Sequence, residues 1–250
     1  TNHFSVGITD DISKNSLDID KNFNLGREVS KNLMFYGTQG ALSADAKKIA
    51  ETVQTLRPEW QVSAFCKAGI SQYGAPLVFT LRCGEKAASL PYLTVSPDFV
   101  ICTEERFAEI TDVLSGVREN AIFLLNSPYP SDEAWNYLPS AVQSHIIERK
   151  VSFYVIDAAK IAEKENAKIG DILLLAFFKV CKEFSETDAV EALQKPFSDI
   201  AQSVFSSIRE IMYPAKAGKV KIRPALEKSS VPYIRDVLSL VEGFSGSSVT

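Results

Sequence analysis

Hydrophobic residues in this chain gather into short continuous runs, separated by stretches where apolar positions recur every three or four residues. The runs lie at 33–36 (L-M-F-Y), 60–66 (W-Q-V-S-A-F-C), 77–83 (L-V-F-T-L-R-C), 99–103, 121–125 (A-I-F-L-L) and 151–156 (V-S-F-Y-V-I). Each is rich in β-branched or aromatic residues and bounded by turn formers, so each predicts a strand. Between them, Ala46, Ile49, Ala50 and Val53 fall on one helical face. So do Phe107, Ile110, Val113 and Leu114, and then Val142, Ile146 and Ile147. Further helices are predicted over 131–137, 140–150, 158–165, 170–184, 187–193, 197–211 and 234–241. Strands that are apolar throughout and alternate with helices predict an α/β fold. Its sheet is mostly parallel and covered by helices on both faces, a Rossmann-like three-layer sandwich.

Residues 1–31 read as a short strand, with Phe4, Val6 and Ile8 alternating, followed by a polar linker from a preceding domain. Residues 32–213 form the α/β domain. Residues 214–250 are a connecting arm, a short helix and a soft tail containing Gly243 and Gly246. A chain of 250 residues suffices for one α/β core with a small appendage. The net charge of −4 argues against non-specific nucleic-acid binding, which needs a basic surface. Lys216, Lys219, Lys221 and Arg223 in the arm lack interleaved aromatics. The longest apolar run, 172–178, is closed by Lys179 and is too short to span a bilayer. Four widely spaced cysteines without a C-x-x-C pair predict a reducing compartment such as the cytoplasm, and no disulfide. With only His3 and His145 present, no metal site is predicted, nor is any catalytic residue.

Ligands of a parallel sheet gather beyond the carboxyl ends of its strands. The predicted strands place Gly37, Thr38, Gln39 and Gly40 there, together with Thr103, Asn126 and Asp157. The first four form a glycine-bounded loop leading to a helix that Ser43 is spaced to cap, with Lys47 and Lys48 on its solvent side. Amides at a helix N-terminus aimed at such a loop make an anion site. A plain strand-to-helix turn of a doubly wound fold has the same pattern, and both readings stand. Asp157 either orients a ligand hydroxyl or amine, or caps the 158–165 helix. Asn126-Ser127-Pro128 has the composition of a strand-closing turn. Thr103, followed by Glu104 and Glu105, reads as an N-cap with acidic first-turn residues, and His145 as an edge histidine. No G-x-S-x-G, Walker loop or zinc spacing occurs.

Four segments in order carry a more specific signal: H-F-S-V-G-I-T-D-D, F-Y-G-T-Q-G-A-L-S-A-D-A, L-N-S-P-Y-P-S-D-E-A-W-N-Y-L-P and F-Y-V-I-D-A-A-K-I-A. With A-F-F-K at 176–179, they resemble the central γ-type domain of pyruvate:ferredoxin (or flavodoxin) oxidoreductases, over roughly residues 2–211. The resemblance implies a piece of a larger, homo-oligomeric polypeptide whose other domains are the partners of this one. It implies that the whole enzyme decarboxylates a 2-oxoacid on thiamine diphosphate, forms acyl-coenzyme A and passes electrons through iron–sulfur clusters. Those cofactor domains lie elsewhere in such proteins, so no cofactor is expected in this chain, which alone would be colourless and inactive on pyruvate. Coenzyme A is the one ligand the domain is expected to meet, and only weakly.

That weakness follows from departures. The family loop G-S-D-G-T-V-G-A-N-K-N-S, implicated in coenzyme A binding, keeps Gly37, Gly40 and Ala44 here. Its acid becomes Gln39, its asparagine Asp45 and its lysine Ala46. Trading a lysine for alanine and an amide for a carboxylate weakens a phosphate site by charge. In H-L-R-F-G…I-R-S-P-Y, Arg82 and Gly84 survive, while Thr80 replaces the histidine and Ser89 the second arginine. In R-I-N-T-I-M-Q-T, Gly170 and Leu174 replace asparagine and glutamine. Two functions therefore compete: the γ-type domain of a working oxidoreductase with a degenerate loop, or a non-catalytic scaffold or docking domain of the same fold.

Overall fold

The computed structural model describes residues 31–37, 41–67, 76–85, 96–129 and 131–216. The strand read around Phe4, the loop residues Thr38, Gln39 and Gly40, and the helix read over 234–241 lie outside the described residues. In chain order the elements are β1 (Lys31–Gly37), α1 (Ala41–Leu56), β2 (Gln61–Lys67), β3 (Leu77–Gly84), β4 (Phe99–Cys102) and α2 (Glu105–Ile110). They continue as β5 (Ile122–Asn126), α3 (Ser131–Tyr137), α4 (Ser140–Glu148), β6 (Ser152–Ile156) and α5 (Ala158–Glu165). Last come α6 (Ile169–Val180), α7 (Glu186–Leu193), α8 (Phe197–Ser207) and β7 (Arg209–Glu210).

All seven strands join one sheet in the order β2-β3-β1-β4-β5-β6-β7. β1, β4, β5 and β6 are parallel neighbours. β3 runs against both β1 and β2, so β2 points with the parallel set, and β7 runs against β6. The sheet is thus mostly parallel, as the alternation of strand and helix predicts. The β2–β3 hairpin departs from that alternation because residues 68–76 are too few for the crossover that parallel neighbours require.

Period-two alternation along each central strand divides the side chains between two cores. Leu33, Phe35, Phe99, Ile101, Leu124 and Ile156 face the layer of α1, α5, α6, α7 and α8. Met34, Tyr36, Val100, Phe123, Leu125, Phe153 and Val155 face the other, with Phe107, Trp135, Val142 and Ile146 from α2, α3 and α4. Helix α6 anchors the first layer and is buried continuously from Ile172 to Phe178. A helix apolar on nearly every side belongs in the interior. Its Phe177 ring stands edge-on to Phe99, with centroids 4.9 Å apart. Each large apolar side chain buried in this way contributes about 1.5–3 kcal/mol.

Four local expectations are corrected. Helix α1 starts at Ala41, so Ser43 lies inside it and is not its cap. Lys48 is only half exposed and is not a free surface lysine: its ammonium sits 2.8 Å from Asp171 of α6 and 4.7 Å from the Phe197 ring centroid. The helix after β4 begins at Glu105 and stops at Ile110, so Thr103 is not its cap. Thr111 is extended, and Asp112 Oδ1 accepts from the Leu114 amide, giving the backbone a partner other than a helical carbonyl. The 197–211 helix ends at Ser207, since Ile208 turns extended and Arg209–Glu210 pair with the outer edge of β6. An exposed strand edge offers unpaired amides and carbonyls that outcompete one further helical turn.

Candidate functional site

Parallel register brings four predicted positions to one end of the sheet. Tyr36 pairs with Cys102, Cys102 with Leu125, and Asn126 with Ile156, so Gly37, Thr103, Asn126 and Asp157 all lie at the carboxyl edge. Gly37 is the last residue of β1 and α1 opens at Ala41, so strand and helix flank the loop as expected. Thr103 closes onto β1 through its amide, which donates to the Tyr36 carbonyl at 3.0 Å.

Asn126 spans this edge with both ends of its amide. Its Nδ2 donates to the Thr103 carbonyl at 3.0 Å, and its Oδ1 accepts from the Ala158 amide at 2.9 Å. One side chain therefore ties the end of β4 to the start of α5. Asp157 is the N-cap of α5, with Oδ1 accepting from the Lys160 amide at 3.0 Å. Beside them the Ser127 hydroxyl donates to Glu105, both buried, and the same Ser127 oxygen accepts from the Tyr129 amide at 3.2 Å. Sequence reasoning treated Glu105 as a first-turn acid and Ser127 as a turn residue. Their pairing across 22 positions has no local signature.

Arg82 lies elsewhere. It pairs across the sheet with Asn32 at the start of β1, five residues from Gly37 and about 17 Å away along the strand. It is only 6% exposed, and its Nε donates to Asn32 Oδ1 at 3.1 Å. The Asn32 amide donates to Asp98 Oδ2 at 2.8 Å, and Arg118 Nη1 donates to both Asp98 oxygens at 2.8 and 3.0 Å. Lys31 reaches Glu183 at 2.6 Å, a contact that raises the ammonium pKa. The amino edge is thus a linked polar network, on the opposite side of the sheet from the other candidates.

Near Asp157 the carboxyl edge opens into a cleft of about 350 Å³, lined by Pro128, Tyr129, Asp157, Lys160, Ile161, Lys164, Ser203, Ser207 and Arg209. Asp157, Lys160, Ile161 and Lys164 share a helical face, a spacing legible in the sequence. Arg209 joins them because β7 replaces the last turn of the expected helix, which no local pattern announces.

At two of the described positions where the sequence departs from the family pattern, the structure shows internal contacts. Leu174 is 1% exposed in the core, and the Thr80 hydroxyl donates to the Phe65 carbonyl at 3.3 Å. Cys83 and Cys102 are buried, which pushes both thiols up to about 12. Cys181 is half-buried and its thiol is likewise pushed up by burial, to about 11, whereas Cys66 is exposed on the edge strand β2. Among the described residues no group of three or more His, Cys, Asp or Glu is arranged to hold a metal ion. No helix among them is long and apolar enough to cross a membrane. His145 meets Asp112, 2.9 Å from Nε2 to Oδ2.

Comparison with known proteins places this geometry. Residues 32–211 match the model of the family described as pyruvate ferredoxin/flavodoxin oxidoreductase. The pyruvate-flavodoxin oxidoreductase of Trichormus variabilis is 31% identical over 201 residues, which cover 78% of this chain and 16% of that protein. The chain therefore spans about a sixth of that relative's length. Among solved structures, a pyruvate oxidoreductase subunit of Thermotoga maritima superposes with a TM-score of 0.55 at 18% identity, covering 73% of this chain and 98% of that one. The 2-oxoglutarate:ferredoxin oxidoreductase of Magnetococcus marinus, solved with 2-oxoglutarate, coenzyme A and succinyl-CoA bound, gives 0.51 at 13% identity. That match covers 78% of this chain and 33% of the other.

Proposed function

We propose, for a chain that belongs to the pyruvate ferredoxin/flavodoxin oxidoreductase family, that it serves as the γ-type domain of a multidomain enzyme converting a 2-oxoacid oxidatively to an acyl-coenzyme A. In this reading the thiamine diphosphate and iron–sulfur chemistry belongs to other domains of the parent polypeptide. The domain meets the coenzyme through the loop of Gly37, Thr38, Gln39 and Gly40, and holds it weakly. The observation that carries the reading is the position of β1. It is a central strand, and the 16-residue helix that follows opens at Ala41, after three intervening residues. Backbone amides and the helix dipole there contribute about 0.3–1 kcal/mol toward an anion near the surface. The lysine that would add a full charge is Ala46, and the carboxylate of Asp45 opposes the ligand.

A scaffold role is the second reading, and a specific observation favours it. Asn126 and Asp157 spend their polar atoms on the fold, and Arg82 lies at the far edge. Thiamine diphosphate and ferredoxin-type cysteine motifs elsewhere in the parent polypeptide would favour the enzyme reading over the scaffold.

Titration of the 250-residue chain with coenzyme A, followed by calorimetry and amide chemical shifts, tests the loop directly. The expected affinity is weaker than about millimolar, less than about 4 kcal/mol of binding. Replacing Asp45→Asn and Ala46→Lys together should strengthen binding, with shifts confined to residues around Gly37. If the double variant binds no better, charge is not what the loop lacks, and the scaffold reading gains. Micromolar binding by the unaltered chain would overturn the degenerate-loop reading.

A further inference from the structure

The cleft beside α5 is not explained by the loop after β1. It lies at the end of β6, three strands across the sheet from β1, about 14 Å away at the usual strand spacing. Its walls come from three separate elements: the turn after β5, one face of α5, and the α8–β7 corner. Each wall contributes chemistry of a different kind.

From α5 come Lys160 and Lys164, one turn apart on the face that follows Asp157. From β7 comes Arg209, whose Nη1 donates to the backbone carbonyls of Ser206 and Ile208. Those bonds hold one side of the guanidinium against the end of α8 and fix the side chain at the corner. Ser203 and Ser207, one turn apart on α8, line the same wall, but their hydroxyls donate to Glu165 and to the Ser203 carbonyl, so the cations carry the chemistry of the cleft; Pro128 and Tyr129 close the remaining wall. Tyr129 stands against the Tyr137 ring at 4.3 Å, which gives that wall a rigid backing.

Charge is distributed unevenly in this cleft. Three cations and one acid line it, with Glu165 paired to Lys164 beside it, in a chain whose net charge is −4. The acid is already engaged, because Asp157 caps α5. Lys164 is ion-paired: Nζ reaches Glu165 at 2.8 Å and Ser203 Oγ at 3.3 Å. The Glu165 carboxyl is held below the usual carboxylate range, first by Lys164 and then by Ser203, so this small network is a charged one. Lys160 makes no ion pair among the described residues. Positive potential in a concave site with low-dielectric walls concentrates anions more than the same charges on a flat surface. A volume of about 350 Å³ is at the small end of ligand clefts, which rules toward a compact ligand.

We propose that this cleft, formed by Lys160, Lys164 and Arg209 over the end of β6, is a second binding site that takes a small multivalent anion. Two sources share that chemistry, a phosphorylated small molecule and a di- or tricarboxylate. Arg209 presents a planar fork to either, and the two lysines act as adaptable point charges. The site is independent of coenzyme binding at the β1 loop and does not rest on it.

The test uses the 250-residue chain with pyrophosphate and, separately, citrate, at constant ionic strength. Amide chemical shifts locate each anion and calorimetry gives its affinity. Shifts concentrated at 157–164 and 203–209 are expected for at least one of the two. Saturation by pyrophosphate alone assigns the phosphorylated source, and by citrate alone the carboxylate source. Saturation by both identifies charge as the determinant. The double variant Lys160→Glu with Arg209→Gln should weaken binding by tenfold or more, about the factor expected for losing charge-assisted bonds. Lys182→Glu, an exposed lysine away from the cleft, serves as control and should leave the affinity unchanged. Both substituted cleft residues are exposed, and circular dichroism should show the helices intact. The proposal is overturned if neither anion saturates below about 5 mM, a binding free energy near 3 kcal/mol. It is equally overturned if shifts scatter over surface lysines, or if both charge reversals weaken binding alike. Coenzyme A shifts around Gly37 are read in the same spectra, so loss of one site is distinguishable from loss of the other.

Discussion

The two ends of the central strands use polar residues in opposite ways. At the amino edge Arg82, Asn32, Asp98 and Arg118 bond to one another in that order, linking the end of β3, the starts of β1 and β4 and the turn before β5. Asp98 also closes the backbone there: its amide donates to the Asn32 carbonyl and its carbonyl accepts from Ile122. At the carboxyl edge Asn126 and Asp157 serve the fold, but the cations beside them face a cleft. At the amino edge both arginines bond within the network, whereas at the carboxyl edge Lys160 makes no ion pair among the described residues. The contrast teaches that a conspicuous arginine in a strand is not by itself a binding residue. Arg82 sits in a site-like motif, yet its bond to Asn32 shows it tying the end of β3 to the start of β1.

If the amino edge is structural, its disruption should be the most costly change in the molecule's polar set. Asp98→Ala leaves Arg118, whose Nε and Nη2 already lack partners, buried without its carboxylate. Breaking one side of such a pair costs about 3–5 kcal/mol, and the partial exposure of both side chains puts the expected loss near the lower figure. Urea unfolding monitored by circular dichroism would measure it. Replacing both partners, Asp98→Ala with Arg118→Met, should recover a large share, since it is the orphaned charge that costs most. A loss below about 1 kcal/mol for Asp98→Ala would erase the contrast between the two ends.

Asn126→Ala comes next. It removes the donor to Thr103 and the acceptor from Ala158 together, at about 1 kcal/mol for each bond, so about 2 kcal/mol in the same unfolding assay. Asn126→Asp keeps the acceptor toward the start of α5 and should lose about half as much. Equal losses in the two variants would mean that the bond from the Ala158 amide to Oδ1 contributes nothing.

Asp157→Ala is the smallest of the three. Loss of an N-cap costs about 1 kcal/mol, and Asp157→Asn, which can still cap, should cost a few tenths. A loss above about 2 kcal/mol would show Asp157 bracing more than its own helix.

Within the candidate site, legibility tracked sequence distance. Asp157 capping α5 was one of two readings available from the sequence, because donor and acceptor are three residues apart. Asn126 reaching Ala158 is a contact over 32 positions, and Ser127 with Glu105 over 22, so neither left a mark in the local pattern. Lys48 illustrates the same limit. Its place on the helical wheel reads as solvent-facing, but the approach of α6 supplies Asp171 and turns it into a tie between two helices.

The sequence by itself determined six of the seven strands among the described residues, the helices between them and the presence of two covered faces. Those follow from local periodicity: an apolar run with no polar alternation is stable as a strand only when helices cover both sides. Tertiary structure alone decided which ends of the strands meet and where each isolated charge finds a partner. It placed Arg82 at the opposite edge from Gly37, made Arg209 a strand residue beside α5, and gathered Lys160, Lys164 and Arg209 around one cleft. Strand order and register set these outcomes, and they depend on pairings between residues far apart in the chain, whose energies no window of neighbouring residues contains.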